Sequence, residues 1–145
     1  SQMPKSKIIY CFRNPEDHIV ELYKYNLKNY LPLKTSRIDL AKIIVLINNL
    51  MEDYKKRFHS QIYFLNYDNL ILNPKREIKS ILGWLNWKYD DKYLVPKLRP
   101  QGRIESKNDF HSFNKCYLNN SKNYIEMLKP VEGILSKLKI NKNAR

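Results

Sequence analysis

The residue best placed to do chemistry is Arg13, which ends the apolar run Lys7-Ile-Ile-Tyr-Cys-Phe12 and is followed at once by Asn14-Pro15-Glu16-Asp17. A guanidinium offers phosphate or carboxylate a forked, charge-assisted contact. A helix opening at Asn14-Pro15 adds unpaired backbone N–H groups and the positive end of the helix dipole. Together these are the parts of an anion site. The plainer alternative is a surface ion pair of Arg13 with Glu16 or Asp17, worth little to stability. Elsewhere the chemistry is thinner. Arg99-Pro-Gln-Gly-Arg103 lies in a basic stretch whose spacing specifies no ligand. His18, His59 and His111 are isolated, and Cys11 stands far from Cys116, so the sequence holds neither metal-ligand spacing nor a disulfide framework.

Positioning Arg13 takes a strand and a helix, and the local sequence supplies both. Lys7 to Phe12 reads as a buried parallel strand. Asn14 suits an N-cap, Pro15 the first helical position and Asp17 the third, which predicts a helix from Pro15 to about Leu27 with Ile19, Leu22 and Tyr23 inward. Ser36 and Asp39 have capping-box spacing ahead of Leu40, Ile43, Ile47, Leu50, Met51, Tyr54 and Phe58, one face of the longest helix. Gln61 to Asn66 is rich in strand formers. Asn73-Pro74 repeats the cap-plus-proline start for a helix carrying Ile78, Ile81, Leu82 and Leu85, with Trp84 and Trp87 near its end. From Asp90 to about Leu118 the periodicity is lost and Pro96, Pro100 and Gly102 punctuate a long loop; loops beyond about 12–15 residues often serve as lids or binding loops. A last helical region from about Asn119 carries Tyr124, Leu128, Val131, Leu135 and Leu138, interrupted by Pro130.

Strands separated by helices imply parallel pairing and an α/β class. Two strands do not make a complete α/β core. The expectation is therefore an unfilled sheet edge, exposed apolar surface and self-association.

The 145 residues suit one domain, 1–145, and with 43% apolar residues but only 3 Gly the chain is globular rather than low-complexity. Lys+Arg 27 against Asp+Glu 14 gives +13, which favours anionic partners, although a Lys-, Asn- and Ile-rich composition also generates such charge without function. No helix-turn-helix spacing, zinc ligands or RNA-recognition aromatics accompany the charge, so nucleic acid is not the expected partner. The opening Ser1-Gln2-Met3-Pro4-Lys5 has no signal-peptide core, and no run approaches the roughly 18 apolar residues of a membrane span. With two unpaired cysteines, the expectation is a cytoplasmic chain in a reducing compartment, without membrane association.

Two stretches resemble the sulfotransferase family. Lys7-Ile-Ile-Tyr-Cys-Phe-Arg-Asn-Pro-Glu-Asp17, followed by Leu22-Tyr23-Lys24, is similar to the segment that opens the site for the donor's 3′-phosphate. Tyr63-Phe-Leu-Asn-Tyr-Asp-Asn-Leu-Ile-Leu-Asn-Pro-Lys-Arg-Glu-Ile-Lys-Ser-Ile-Leu-Gly-Trp-Leu85 resembles the family's strand, Tyr-Glu-Asp-Leu turn, capped proline and helix. The resemblance runs over roughly residues 4 to 90. More loosely, Arg99 to Leu128 resembles the C-terminal lid-like loop and helix start of the tyrosylprotein and bacterial branches. It implies a P-loop-like parallel sheet flanked by helices and the donor 3′-phosphoadenosine 5′-phosphosulfate, or its product adenosine 3′,5′-bisphosphate, with no metal. Carried over, Arg13 contacts the 3′-phosphate, Tyr67 approaches the adenine, and Arg103 closes over the phosphates.

Three departures count against activity. Eight residues past its Arg the family pattern has a phosphate-contacting Ser, where this chain has Glu21. Like unit charges about 4 Å apart repel by about 4 kcal/mol at an effective dielectric of about 20, unless Glu21 turns away toward Lys24. The family's 5′-phosphosulfate loop and its general base belong upstream of everything matched here, and Pro4-Lys5-Ser6 lacks the glycine, hydroxyl pair and helix of that loop. A Trp of the family pattern stands here as Ser121. The leading reading is thus the C-terminal portion of a sulfotransferase domain that transfers a sulfuryl group to a hydroxyl or amine, present here as a partial domain whose departures count against activity. The alternative is a non-catalytic module of the same fold that binds an anionic partner or another chain.

Overall fold

In a computed structural model, residues 6–24, 36–94 and 118–138 are described. The apolar run that ends at Phe12 forms β1 (Ile8–Phe12), and the second forms β2 (Ile62–Asn66). They pair in parallel from Ile8 opposite Ile62 to Phe12 opposite Asn66, so the α/β expectation stands for a two-stranded sheet with helices. Parallel neighbours cannot be joined by a tight turn, and the described part of the crossover holds two helices.

The first, α1 (Pro15–Lys24), starts as its sequence predicts: Asn14 Oδ1 accepts the Glu16 and Asp17 N–H groups at 2.9 and 3.0 Å. The expected continuation to Leu27 lies outside the described residues. In α2 (Arg37–Arg57), Ser36 Oγ accepts the Asp39 N–H at 3.2 Å and donates its own hydrogen to Asp39 Oδ2 at 2.7 Å, while Lys55, Lys56 and Arg57 complement the dipole in the last turn. Beyond β2, what reads in sequence as a turn is a short helix, α3 (Tyr67–Leu72), capped by Asn66 Oδ1 from Asp68 and Asn69 N–H. Then comes α4 (Pro74–Leu85), which ends where Asn86 turns left-handed at φ 61. The final region is a string of short pieces: 3-10 turns at Asn120–Tyr124 and Lys129–Val131 alternate with α5 (Ile125–Leu128) and α6 (Glu132–Leu135). Pro130 has no N–H to donate and its ring obstructs the preceding turn, so one continuous helix cannot form there.

The core lies between α1, α2 and this C-terminal string, where Ile19, Val20, Ala41, Ile44, Leu128, Val131 and Leu135 are buried together. The sheet packs on both faces. Toward α2, Tyr10 donates its hydroxyl hydrogen to Asn48 Oδ1 at 2.7 Å and meets the Phe64 ring at 5.2 Å; toward α4, Tyr63 meets Trp84 at 5.5 Å. Lys7 reaches over the same Trp84 ring and donates to its backbone carbonyl.

The inner faces are only partly as the sequence predicts. On α1, Val20 is buried, whereas Tyr23 is 54% exposed. On α2 the burial sits in the N-terminal half, at Leu40, Ala41 and Ile44. Ile47, Leu50, Tyr54 and Phe58, on the predicted inner face, are exposed, as is Leu46 at 67%. The physical reason is coverage: Ala41 and Ile44 share the core with Leu128, Val131 and Leu135 of the C-terminal string, whereas further along α2 the described contacts are made by Asn48 to Tyr10, Asn49 to the Lys137 carbonyl and Lys55 to the Phe64 ring rather than by these apolar side chains. Ile8 and Ile9, on opposite faces of β1, are likewise exposed.

Leu135 fills the centre of the core at 2% exposure, so Leu135→Ala is expected to cost about 2–5 kcal/mol through lost burial and a residual cavity. Thermal denaturation would read this as a clearly lower midpoint; an unchanged midpoint would show that the C-terminal string adds nothing to the core.

Candidate functional site

Because Phe12 pairs with Asn66, the next residues of the two strands, Arg13 and Tyr67, emerge at the same end of the sheet. That is the carboxyl end, where ligand crevices form in open α/β sheets. The structure brings them together: the Arg13 guanidinium lies over the Tyr67 ring, 5.4 Å from its centroid. Arg103, the third predicted site residue, lies outside the described residues, as do His111, Cys116 and most of the 99–128 loop.

Two acids flank Arg13, and sequence reasoning singled out neither as a site residue. Asp17 Oδ2 is 3.8 Å from Arg13 Nη2, and Asp68 Oδ1 is 3.9 Å from Arg13 Nε. Asp68 also ties the two strand ends together, since its Oδ2 accepts the Asn14 backbone N–H at 2.7 Å. The Asn that caps α1 thus donates its own N–H to the acid in the first turn of α3. Burial raises the Asp68 pKa, against the lowering effects of the Asn14 N–H and of Arg13. Burial also raises the Tyr67 hydroxyl, with Arg13 again opposing, so Tyr67 is a protonated ring at neutral pH. Cys11, just before Phe12, is raised by burial and by Asp68 against the lowering effect of Arg13, which keeps it a thiol rather than a thiolate at neutral pH.

Charge sets what this arrangement can do. One guanidinium between two carboxylates leaves a formal excess of one negative charge, partly offset by the N-terminus of α1. The pair Asp17 and Asp68, both at ion-pair distance, therefore weakens the pull of Arg13 on an anion. The signal for Asp68 was present in the Tyr-Asp-Asn-Leu turn; Asp17 was legible as an ion-pair partner of Arg13, though the pair is buried rather than on the surface.

Asp17 does more than flank Arg13. It is 2% exposed and accepts the Asn119 N–H on Oδ2 at 2.9 Å and the Ser121 N–H on Oδ1 at 2.7 Å. Glu21, one turn further along α1, accepts from Asn120 Nδ2 at 2.9 Å and lies 3.9 Å from Lys24 Nζ. Glu21 is thus turned to the C-terminal turn and to Lys24. Ser121, standing where the pattern has a Trp, is buried and serves Asp17 through its backbone.

Among the described residues there is no group of three or more His, Cys, Asp or Glu arranged to hold a metal ion, and no helix long and apolar enough to cross a membrane. Comparison with known proteins points one way. The sequence profile described as "Sulfotransferase family" matches residues 2–91. Sulfotransferase 1B1 of Mus musculus is 31% identical over 99 residues, covering 62% of this chain and 33% of that protein. An uncharacterized protein of Aquifex aeolicus (strain VF5) is 30% identical over 94 residues, 63% of this chain and 12% of that protein. The chain therefore spans a third or less of the length of these curated relatives. No solved structure gives a significant match.

His18, on α1 just past the site, carries a pH consequence. Burial and then Arg13 lower its pKa below the ordinary 6.5. As pH falls through 6.5 the unfolded chain takes up the proton before the folded chain does, so stability drops with acidification until the lower folded pKa is passed. The urea midpoint is expected to fall between about pH 7.5 and about pH 5.5, and His18→Gln should remove part of that fall. Identical slopes in the two proteins would show that His18 titrates alike in both states.

Proposed function

Because this chain belongs to the sulfotransferase family, we propose that it forms part of a domain that transfers a sulfuryl group from 3′-phosphoadenosine 5′-phosphosulfate to a hydroxyl or amine, with Arg13 and Tyr67 at the nucleotide end of the donor. The observation that carries this reading is the meeting of Arg13 and Tyr67 at the carboxyl ends of two parallel strands, beside the capped start of α1. A guanidinium and the positive end of a helix dipole suit a phosphate, although Asn14 Oδ1 already takes the Glu16 and Asp17 N–H groups, and an aromatic face suits a purine base.

In the reaction the bond between sulfur and the 5′-phosphate oxygen breaks, sulfur bonds to the acceptor oxygen or nitrogen, and the acceptor's proton leaves. Positioning and charge neutralisation do most of the work in such in-line transfers, by analogy with phosphoryl transfer. The contribution assigned to this chain is to hold the nucleotide. Arg13 gives the 3′-phosphate a charged contact, and Tyr67 stacks on the adenine side. Arg103 is the proposed closing contact from the basic loop.

A second reading has its own observation. The apolar side chains exposed among the described residues on α2 and at its end, Leu46, Ile47, Leu50, Tyr54 and Phe58, fit packing against another polypeptide, and the chain by itself is proposed to self-associate. Light scattering is expected to show mass rising with concentration; a clean monomer throughout would sink that reading.

Calorimetric titration with adenosine 3′,5′-bisphosphate tests the donor site. Binding is expected in the high micromolar range or weaker, because two acids already compete for Arg13. Arg13→Ala should weaken it about tenfold or more, the worth of one charge-assisted contact. Glu21→Ser should not strengthen it, since the Glu21 carboxylate is engaged by Asn120 and Lys24. Binding that is indifferent to Arg13→Ala would show that this surface is no nucleotide site.

A further inference from the structure

Two N–H donors and one guanidinium converge on the Asp17 carboxylate. The Asn119 and Ser121 N–H groups bond to its two oxygens, and Arg13 Nη2 faces the oxygen that Asn119 uses, at 3.8 Å. Glu21, spaced i, i+4 from Asp17 on α1, holds Asn120. Consecutive residues 119, 120 and 121 are therefore seated on two acids of one helix, and the acid that takes both backbone N–H groups also shares Arg13. Asn119 adopts a left-handed φ of 56, which presents its own N–H and that of Ser121 to the same side chain.

A carboxylate buried this deeply needs its charge compensated. The backbone donors of the C-terminal turn supply part of that compensation, and Arg13 supplies another part. With the turn seated, Asp17 draws less on Arg13, and more of the guanidinium's field is directed to an anion at the strand ends. With the turn lifted, Asp17 leans on Arg13 and competes with the anion. We infer that Asp17 is a positioning residue that couples anion binding at Arg13 to seating of the 119–121 turn on α1, each favouring the other. The inference rests on the donor-site reading above, and linkage makes the effect reciprocal.

Hydrogen exchange of the Asn119 and Ser121 amides, followed by NMR with and without saturating adenosine 3′,5′-bisphosphate, tests it. The nucleotide is expected to slow exchange at both amides about fivefold or more, the low end of ordinary coupling between sites. Asp17→Asn keeps an acceptor oxygen but no charge, and should still bind nucleotide while losing that ligand-induced slowing. Should Asp17→Asn fail to fold, Asn120→Ala removes only the Glu21 contact and should weaken nucleotide binding about two- to fivefold without touching Arg13. A merely structural Asp17 would give fast exchange in the variant but no response to nucleotide in the wild-type chain. That result, or unchanged affinity in Asn120→Ala, overturns the coupling and leaves the donor site standing. Failure of the wild-type chain to bind the nucleotide at all removes the donor site and the coupling with it.

Discussion

The parallel pairing of β1 with β2 is the constraint on which the rest depends. Two parallel strands must be joined by a crossover, so α1 and α2 lie between them in sequence and both carboxyl ends fall on one side. That single fact brings Arg13 beside Tyr67 although 54 residues separate them. Asp68 then locks the arrangement, since its carboxylate accepts the Asn14 N–H and faces Arg13 from the second strand's side.

A second constraint runs through the buried acids of α1. Asp17 accepts from residues 102 and 104 positions further along the chain, so the C-terminal string is tied to the same helix turn that follows Arg13. The apolar core between α1, α2 and that string supplies the burial, and the polar contacts of Asp17 and Glu21 fix where the string begins. Stability and site geometry are therefore carried by one helix. Its buried acids Asp17 and Glu21 meet the C-terminal turn, while Ile19 and Val20 lie in the core.

The uneven coverage of the molecule is the counterpart of this arrangement. Among the described residues the start of α2 carries the buried apolar positions while Leu46, Ile47, Leu50 and Tyr54 further along are exposed, and both faces of β1 present isoleucine to solvent. Exposed apolar surface of this extent on a helix and an adjoining strand is characteristic of surfaces that pack against further polypeptide.

Local signals made much of this legible in the sequence. The strands were readable from their apolar runs, the starts of α1 and α2 from Asn14-Pro15 and from Ser36 with Asp39, and the meeting place of Arg13 and Tyr67 from strand ends that must lie together in a parallel pair. Caps and strand ends are short-range and follow from the chemistry of a few adjacent residues. The helix at Tyr67–Leu72 was not read because six residues are too few to show a period. The buried half of α2 was not read because its apolar face is the same along its length, and only the packed partner decides which part is covered. The same holds at the site. Its residue types and its Arg13 were fixed by sequence, but the pairing of Asp17 with Asn119 and Ser121, the turn of Glu21 toward Asn120 and the tie from Asn14 to Asp68 are contacts between distant segments. They were decided only in the tertiary structure, where burying a carboxylate forces it to find whichever donors the fold brings near.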